Sequence, residues 1–433
     1  LSSANGSAPQ VTIINADCRA ALDFMESESI DCVITSPPYW GLRDYGVAGQ
    51  LGLEASLGEH IDTLVNVFRE VRRVLKKTGT LWVNYGDAYA CAPNGRSAAK
   101  TKRIGNDDRT FRDKPISTVG GVLKPKDRML LPARLAIALC EDGWWLRDEI
   151  IWHKPNPMPS SVKDRTTPAH EMIYMFSKGP RYFYDQEAIR NPPSDALLQQ
   201  VMDGYNGADT KDYAEACAQS ASGTKARIIA GARKKIKVPG SWDKGSGAHG
   251  TIHRDGRTEA LYVEARAKLG SNKRSVWTVP PKGFKEAHFA TFPPALIEPM
   301  ILAGCPERVC SVCGRPWERV VEKTFIPQQD VSIEKGIRGA GSQKPLDVSD
   351  GRQGFPRGSL DTITTGFKPT CSCSVEPVGG TILDPFFGAG TTALVARQHG
   401  RHSIGIELSA EYVEIARRRL GMSGMTTDRD IFA

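Results

Sequence analysis

Apolar positions along this chain fall into two periods. Residues 11–17 (VTIINAD), 31–38 (DCVITSPP) and 80–87 (TLWVNYGD) carry short runs rich in β-branched and aromatic side chains, as strands do. Between the first two, CRAALDFM (18–25) has helical spacing. Over 59–76, Ile61, Leu64, Val65, Phe68, Val71 and Leu75 share one helical face, and Thr78-Gly79 is expected to stop that helix. LLPARLAIALCEDG (130–143) predicts a helix with a glycine stop, followed by strands at 144–154 and 170–179. From residue 377 the alternation resumes. A strand (379–385) leads through the glycine turn FFGAG into a helix (391–400). A strand (401–408) and a helix over 409–420, with Ser409 as its N-cap, follow. Strands alternating with helices predict an α/β fold with a mainly parallel sheet. Three stretches lose the pattern: 92–128, 191–275 and 306–376. The first reads as a long, mobile, basic loop. No internal repeat is visible.

The length of 433 residues suggests two or three units. Hydrophobic residues at 40% and charged ones at 24% exclude a wholly disordered or fibrous chain. No apolar run reaches the roughly 18 residues of a membrane helix. The first ten residues, LSSANGSAPQ, lack a secretory pattern, so a cytoplasmic setting is expected. The net charge of +8 is unevenly spread. Residues 225–275 hold 13 Lys/Arg against 4 Asp/Glu, and 92–128 hold 10 against 4, leaving the rest acidic. Of ten cysteines, six stand singly (Cys18, Cys32, Cys91, Cys140, Cys217 and Cys305) and read as reduced thiols. The other four form two tight pairs, Cys310/Cys313 and Cys371/Cys373.

Two motifs carry chemistry. In Asp384-Pro-Phe-Phe-Gly-Ala-Gly-Thr-Thr392 a strand turns through glycines into a helix, where backbone can approach a ligand. Glu407 closes the next strand, where a carboxylate can accept ribose hydroxyls. Taken alone, the glycines equally suit a tight strand–helix connection. A nicotinamide enzyme is disfavoured, because the third glycine of that fingerprint is missing. In Thr35-Ser-Pro-Pro-Tyr-Trp40 two prolines fix the backbone and remove N–H donors. The Ser36 hydroxyl and the Pro37 carbonyl can then accept from an exocyclic amine, and Tyr39 offers a face for a flat base. Alone, Ser-Pro-Pro would read as a proline-ended strand.

Together, in this order, the two motifs resemble the permuted group of N6-adenine/N4-cytosine DNA methyltransferases, in which the catalytic motif precedes the cofactor motif. The resemblance spans roughly 11–190, 276–305 and 377–420. Asn15-Ala-Asp-Cys18, Gly79-Thr-Leu-Trp-Val83, Ile151-Trp-His-Lys-Pro-Asn-Pro-Met158 and His288-Phe-Ala-Thr-Phe-Pro293 add to it. It implies a doubly wound sheet of the S-adenosylmethionine-dependent type with a DNA-recognition insertion, to which the paired cysteines add a small four-cysteine zinc module. The expected layout is a catalytic half (11–190), a target-recognition region (191–275), a cofactor half (276–305 and 377–420) and a zinc insertion (306–376). It implies S-adenosylmethionine held by Asp384, Phe386, Gly388, Gly390, Thr391 and Glu407, with Thr291 and Pro293 lining the pocket and Asp17 near the adenine. Ser36, Pro37, Pro38 and Tyr39 would form the catalytic set, and 151–158 would close over a flipped base. Serine at position 36 leans the target to cytosine N4; adenine N6 is the alternative.

Cys310-x-x-Cys313-Gly314 is a zinc-knuckle half-site and Cys371-x-Cys373 its expected partner, giving four thiolates for one structural zinc. Free thiols or a redox pair are the competing reading. Lys225, Arg227, Arg233, Lys234, Lys235, Lys237, Arg254 and Arg257 would by themselves suit a solvated charged surface; their place in the layout the resemblance implies makes them the expected contacts to double-stranded DNA. No membrane partner is expected. A cognate restriction endonuclease and the oligomeric state stay open. An RNA or protein amide methyltransferase, and a catalytically silent zinc-containing DNA-binding protein, remain as alternatives.

Overall fold

The computed structural model describes residues 8–44, 46–92, 115–191, 271–282, 292–327 and 358–422. Strand β1 (Val11–Asn15) leads into helix α1 (Cys18–Asp23), then β2 (Ile30–Thr35), α2 (Leu57–Val74) and β3 (Leu75–Tyr85). Helix α3 (Leu131–Glu141), β4 (Trp145–His153) and β5 (His170–Ser177) follow. Beyond these lie β6 (Val276–Thr278), α4 (Pro294–Gly304), β7 (Val309–Cys310), β8 (Glu318–Pro327) and β9 (Gly358–Lys368). The chain closes with β10 (Pro377–Val378), β11 (Thr381–Asp384), α5 (Thr391–Gln398), β12 (His402–Glu407) and α6 (Ala410–Arg419).

Eight strands form one sheet in the order β1-β12-β11-β2-β3-β5-β4-β6. The first five run parallel; β5 is antiparallel to both β3 and β4. Alternate side chains enter opposite faces, as a pleated strand requires. Val33, Leu81 and Val83 join α1, α2 and α3 on one side. Cys32, Ile34 and Trp82 join α4 and part of α5 on the other. The sheet is therefore wound on both faces, the expected α/β class.

Helix α2 starts where Ser56 accepts from the Glu59 N–H (3.2 Å) and Glu59 reaches back to the Ala55 N–H (3.1 Å), a variant of the capping box. It ends at Val74, and β3 begins at once. The register jumps from Ile30↔Leu75 to Cys32↔Thr80, so Lys76–Gly79 bulges out of the strand pair. Gly79, read from sequence as a helix stop, instead permits close packing. A Cβ there would lie 2.6 Å from the Leu75 side chain and 2.9 Å from the Asp31 carbonyl.

Residues 115–128, expected in a mobile loop, are tied to the core. The Ala90 N–H donates to Asp127 (2.8 Å), the Lys126 N–H to Ala90 (2.8 Å), and Leu123 is buried. Residues 93–114 lie outside the described residues. The chain divides into two compact units. One comprises Leu1–Ile189, Asn272–Arg319 and Phe367–Ala433; the other comprises Arg190–Ser271 and Val320–Gly366. The cysteine-bearing ends of the 306–376 insertion thus belong to the first unit. Among the described residues no helix is long and apolar enough to cross a membrane.

Candidate active site

β11 and β2 are neighbours, although their sequences lie some 350 residues apart, with Ile382 opposite Cys32 and Leu383 opposite Val33. From β11 the chain continues to β12 on one flank, while β2 borders the other. The strand order therefore reverses here, and ligands of open α/β sheets bind outside the carboxyl ends at such a point. Both motif loops leave from those ends. Between them opens a cavity of about 530 Å³ lined by Ser36, Pro37, Pro38, Tyr39, Asp17, Phe386, Gly388, Thr391 and Glu407.

Glu407 ends β12. Its Oε2 accepts from the Gly388 N–H (2.7 Å) and its Oε1 from the Ser409 N–H (2.8 Å), while burial pushes its carboxyl up. Gly388 (φ +52°) and Gly390 (φ +74°) adopt the left-handed turn that favours glycine. Beside Gly388 is open space, whereas a Cβ on Gly390 would meet Phe387 and Ala416 at 3.2 Å. Gly388 thus presents bare backbone to the cavity, and Gly390 shapes the turn behind it. Asp17 caps α1 by accepting from the Arg19 N–H (2.8 Å), and the Arg19 guanidinium draws its carboxyl below the usual range. Thr391 accepts from Arg419 Nη1 (2.8 Å).

Asp384 is not on the cavity wall. Its Oδ1 accepts from Thr35 Oγ1 (2.8 Å) and the Phe386 N–H (3.1 Å), and its Oδ2 from Thr392 Oγ1 (2.7 Å). It is a buried brace that ties the end of β2 to the glycine turn and to α5. Pro293 precedes α4 as its N-cap, and its neighbour Phe292 lines the cavity. Thr291 lies outside the described residues.

Opposite the glycine turn, the wall is polar and aromatic. The Tyr39 hydroxyl donates to Glu171 Oε2 (3.1 Å), and the Tyr85 ring meets Tyr39 edge-on at 5.2 Å. Gly86 makes room for that ring, since a Cβ there would lie 2.4 Å from Tyr39 Cε2. Behind Tyr85, its hydroxyl bonds His60 Nε2 (2.6 Å), and His60 Nδ1 bonds Glu54 Oε2 (2.8 Å). Lys154 donates to Glu171 and lies 4.3 Å from the Trp152 ring. Asn84 and Glu171 carry no motif signal of their own. Lys154 and Trp152 fall inside the 151–158 segment singled out by resemblance.

The four paired cysteines converge. β7 and β10 pair antiparallel with Cys310 opposite Pro377, and all four sulfurs lie within 4.8 Å of one another. Ligands about 2.3 Å from a central tetrahedral ion would be about 3.8 Å apart, so the set fits one metal ion. The Cys313 N–H points at Cys310 Sγ (3.5 Å), and the backbone N–H groups of Cys313 and Val312 draw the Cys310 thiol down to about 6. The eight basic residues expected to touch DNA, Lys225 to Arg257, lie outside the described residues.

The N6/N4 Mtase family model, described as DNA methylase, matches residues 30–309 and 369–418. The type II methyltransferase M.Cfr9I of Citrobacter freundii is 33% identical over 409 residues, covering 94% of this chain and 87% of that protein. The type II methyltransferase M.SmaI of Serratia marcescens is 31% identical over 408 residues, covering 94% and 90%. Among solved structures, the PvuII DNA methyltransferase (cytosine-N4-specific) aligns at 16% identity with a TM-score of 0.46, covering 98% of this chain and 92% of that one. The family match takes in both the strand that ends at Thr35, just before Ser36, and the glycine turn after Asp384, and the chain belongs to the DNA methylase family of N6/N4 amino-methyltransferases.

Proposed function

We propose that this methylase uses S-adenosylmethionine to methylate the exocyclic amine of a base flipped out of duplex DNA, with cytosine N4 as the target. The observation that carries the reading is the shared cavity. Ser36-Pro37-Pro38-Tyr39 and the Phe386–Gly388 turn with Glu407 line it together. The open face of Gly388 and the carboxylates of Glu407 and Asp17 fit the cofactor: Glu407 would receive ribose hydroxyls, and Asp17 would lie near the adenine. When bound, the cofactor supplies an electrophilic sulfonium methyl.

The chain's own residues handle the base. Flipping costs about a few kcal/mol. An exocyclic amine is a weak nucleophile because its lone pair is delocalised into the ring. The Ser36 hydroxyl and the Pro37 carbonyl accept its N–H bonds and localise that pair, while Tyr39 holds the ring plane. With that pair localised, the nitrogen would be the nucleophile toward the methyl group the cofactor would supply, and the amine proton, held at the Ser36 hydroxyl or the Pro37 carbonyl, would pass to solvent. Most of the acceleration comes from positioning and preset polar groups.

Ser36, in place of an acidic or amide residue, supports cytosine. The test is to methylate duplex DNA, digest it to nucleosides and weigh them. N4-methylcytosine is expected. N6-methyladenine would overturn the base assignment, and label on RNA alone would overturn the substrate. The four cysteines are assigned one structural zinc, supported by their convergence. The type II relatives support a restriction–modification role with a cognate endonuclease.

A further inference from the structure

We propose that Glu171 is a positioning residue for methyl transfer, its carboxylate gathering the Tyr39 hydroxyl, the Lys154 ammonium and the Asn84 amide on the wall that receives the flipped base. The inference rests on the reading of Tyr39 as the base platform. Glu171 Oε2 accepts from Tyr39 (3.1 Å) and from Asn84 Nδ2 (3.3 Å), and Oε1 accepts from Lys154 Nζ. Glu171 and its three partners come from four places in the fold: β5, the loop after β2, the end of β3 and the segment after β4. All four line the cavity.

Two observations separate this hub from ordinary framework. First, Glu171 and Lys154 keep about a fifth of their side chains exposed (20% and 21%), on the cavity side and not in either apolar core. Second, Tyr39 is held at both ends. Its hydroxyl is anchored by Glu171, and its ring is met edge-on by Tyr85 at 83°. A ring fixed in this way loses no further freedom when a base stacks on it, so the ordering cost is met during folding and not during turnover. Lys154 supplies the counter-charge that a mostly buried carboxylate needs, and its ammonium lies over the Trp152 ring, 4.3 Å from the centroid.

The test compares Glu171→Gln and Glu171→Ala in the full-length enzyme, with duplex DNA and S-adenosylmethionine. Gln keeps an acceptor for Tyr39 and loses the charge facing Lys154; Ala loses both. We expect kcat to fall on the order of 10²-fold in Glu171→Ala, the scale of a misplacement of about 1 Å, and to be partly restored in Glu171→Gln. Cofactor affinity by calorimetry should stay unchanged. Adding Glu171→Ala to Tyr39→Phe should cost much less than it does in the wild type, because both act through one contact. Glu171→Gln supplies the readout if the Ala variant fails to fold. Wild-type kcat in a folded Glu171 variant, alongside an inactive Tyr39→Ala, would overturn the role of Glu171 alone. Fully additive losses would also overturn it. Full activity of Tyr39→Ala would overturn the Tyr39 reading, and this inference with it.

Discussion

Asp384 is enclosed by the elements it joins, and burial pushes its carboxyl up from an ordinary 3.8 to about 6. Between those values the folded state keeps a proton that the unfolded chain has released. Its contribution to stability is therefore fully present below about 4 and lost as pH rises through about 6. Calorimetry on Asp384→Asn should show a shallower fall in melting temperature between pH 4 and 7 than the wild type. An unchanged slope would assign that pH dependence to other groups. Asp384→Ala should be worse at every pH, because it strands the Thr35 and Thr392 hydroxyls and the Phe386 N–H. Buried donors without acceptors cost about 1–3 kcal/mol each. Gly86 makes a second prediction. A methyl group there meets the Tyr39 ring at 2.4 Å, so Gly86→Ala must displace the ring. A stability loss of about 1–3 kcal/mol is expected. Turnover should fall further than that loss explains, with cofactor binding retained, as calorimetry and a methylation assay would show. Asp384 was identifiable from sequence as a motif residue. Its task was not, because a carboxylate facing a ligand and one bracing two loops have the same spelling.

At the scale of elements, the metal module is held by local pieces. β7 and β10 are two residues each, and the knuckle turn is closed by the Gly314 N–H on the Cys310 carbonyl (2.9 Å). Such short strands bury little apolar area, so a metal ion should supply much of the module's stability. Purified protein is expected to carry one zinc per chain by elemental analysis. Cys373→Ser should lose it, and a strong chelator should lower the melting temperature of the wild type alone. Metal-free native protein that melts as usual would defeat the assignment. The cysteine pairs were legible because like ligands at short spacing are rare. The Lys76–Gly79 bulge was not, because the helical face of α2 continues in sequence through Leu75, and only pairing with β2 pulls Leu75 into the sheet.

For the whole molecule, the basic residues concentrate in 92–128 and 225–275, against an acidic remainder. If six or more of them meet phosphates, raising salt from about 50 to 200 mM should weaken DNA binding by roughly a thousandfold. A flat salt response would count against these segments as the DNA surface. By itself the sequence determined the strand and helix periods, the α/β class, the two motifs and the paired thiols. Each of these is a local matter: backbone geometry imposes a period of 2 or 3.6, and a motif needs only neighbours along the chain. What only the tertiary structure decided is which distant pieces meet. Ser36 and Glu407 line one cavity because β2, β11 and β12 lie side by side at the reversal of strand order, under helices on both faces. Glu171 gathers Tyr39, Asn84 and Lys154 because three strand ends and one loop open on the same edge of the sheet. In sequence, HEMIYMFS is a strand like any other. Sheet order is set by the burial of whole faces and by crossover connections, and no window of neighbouring residues contains that information.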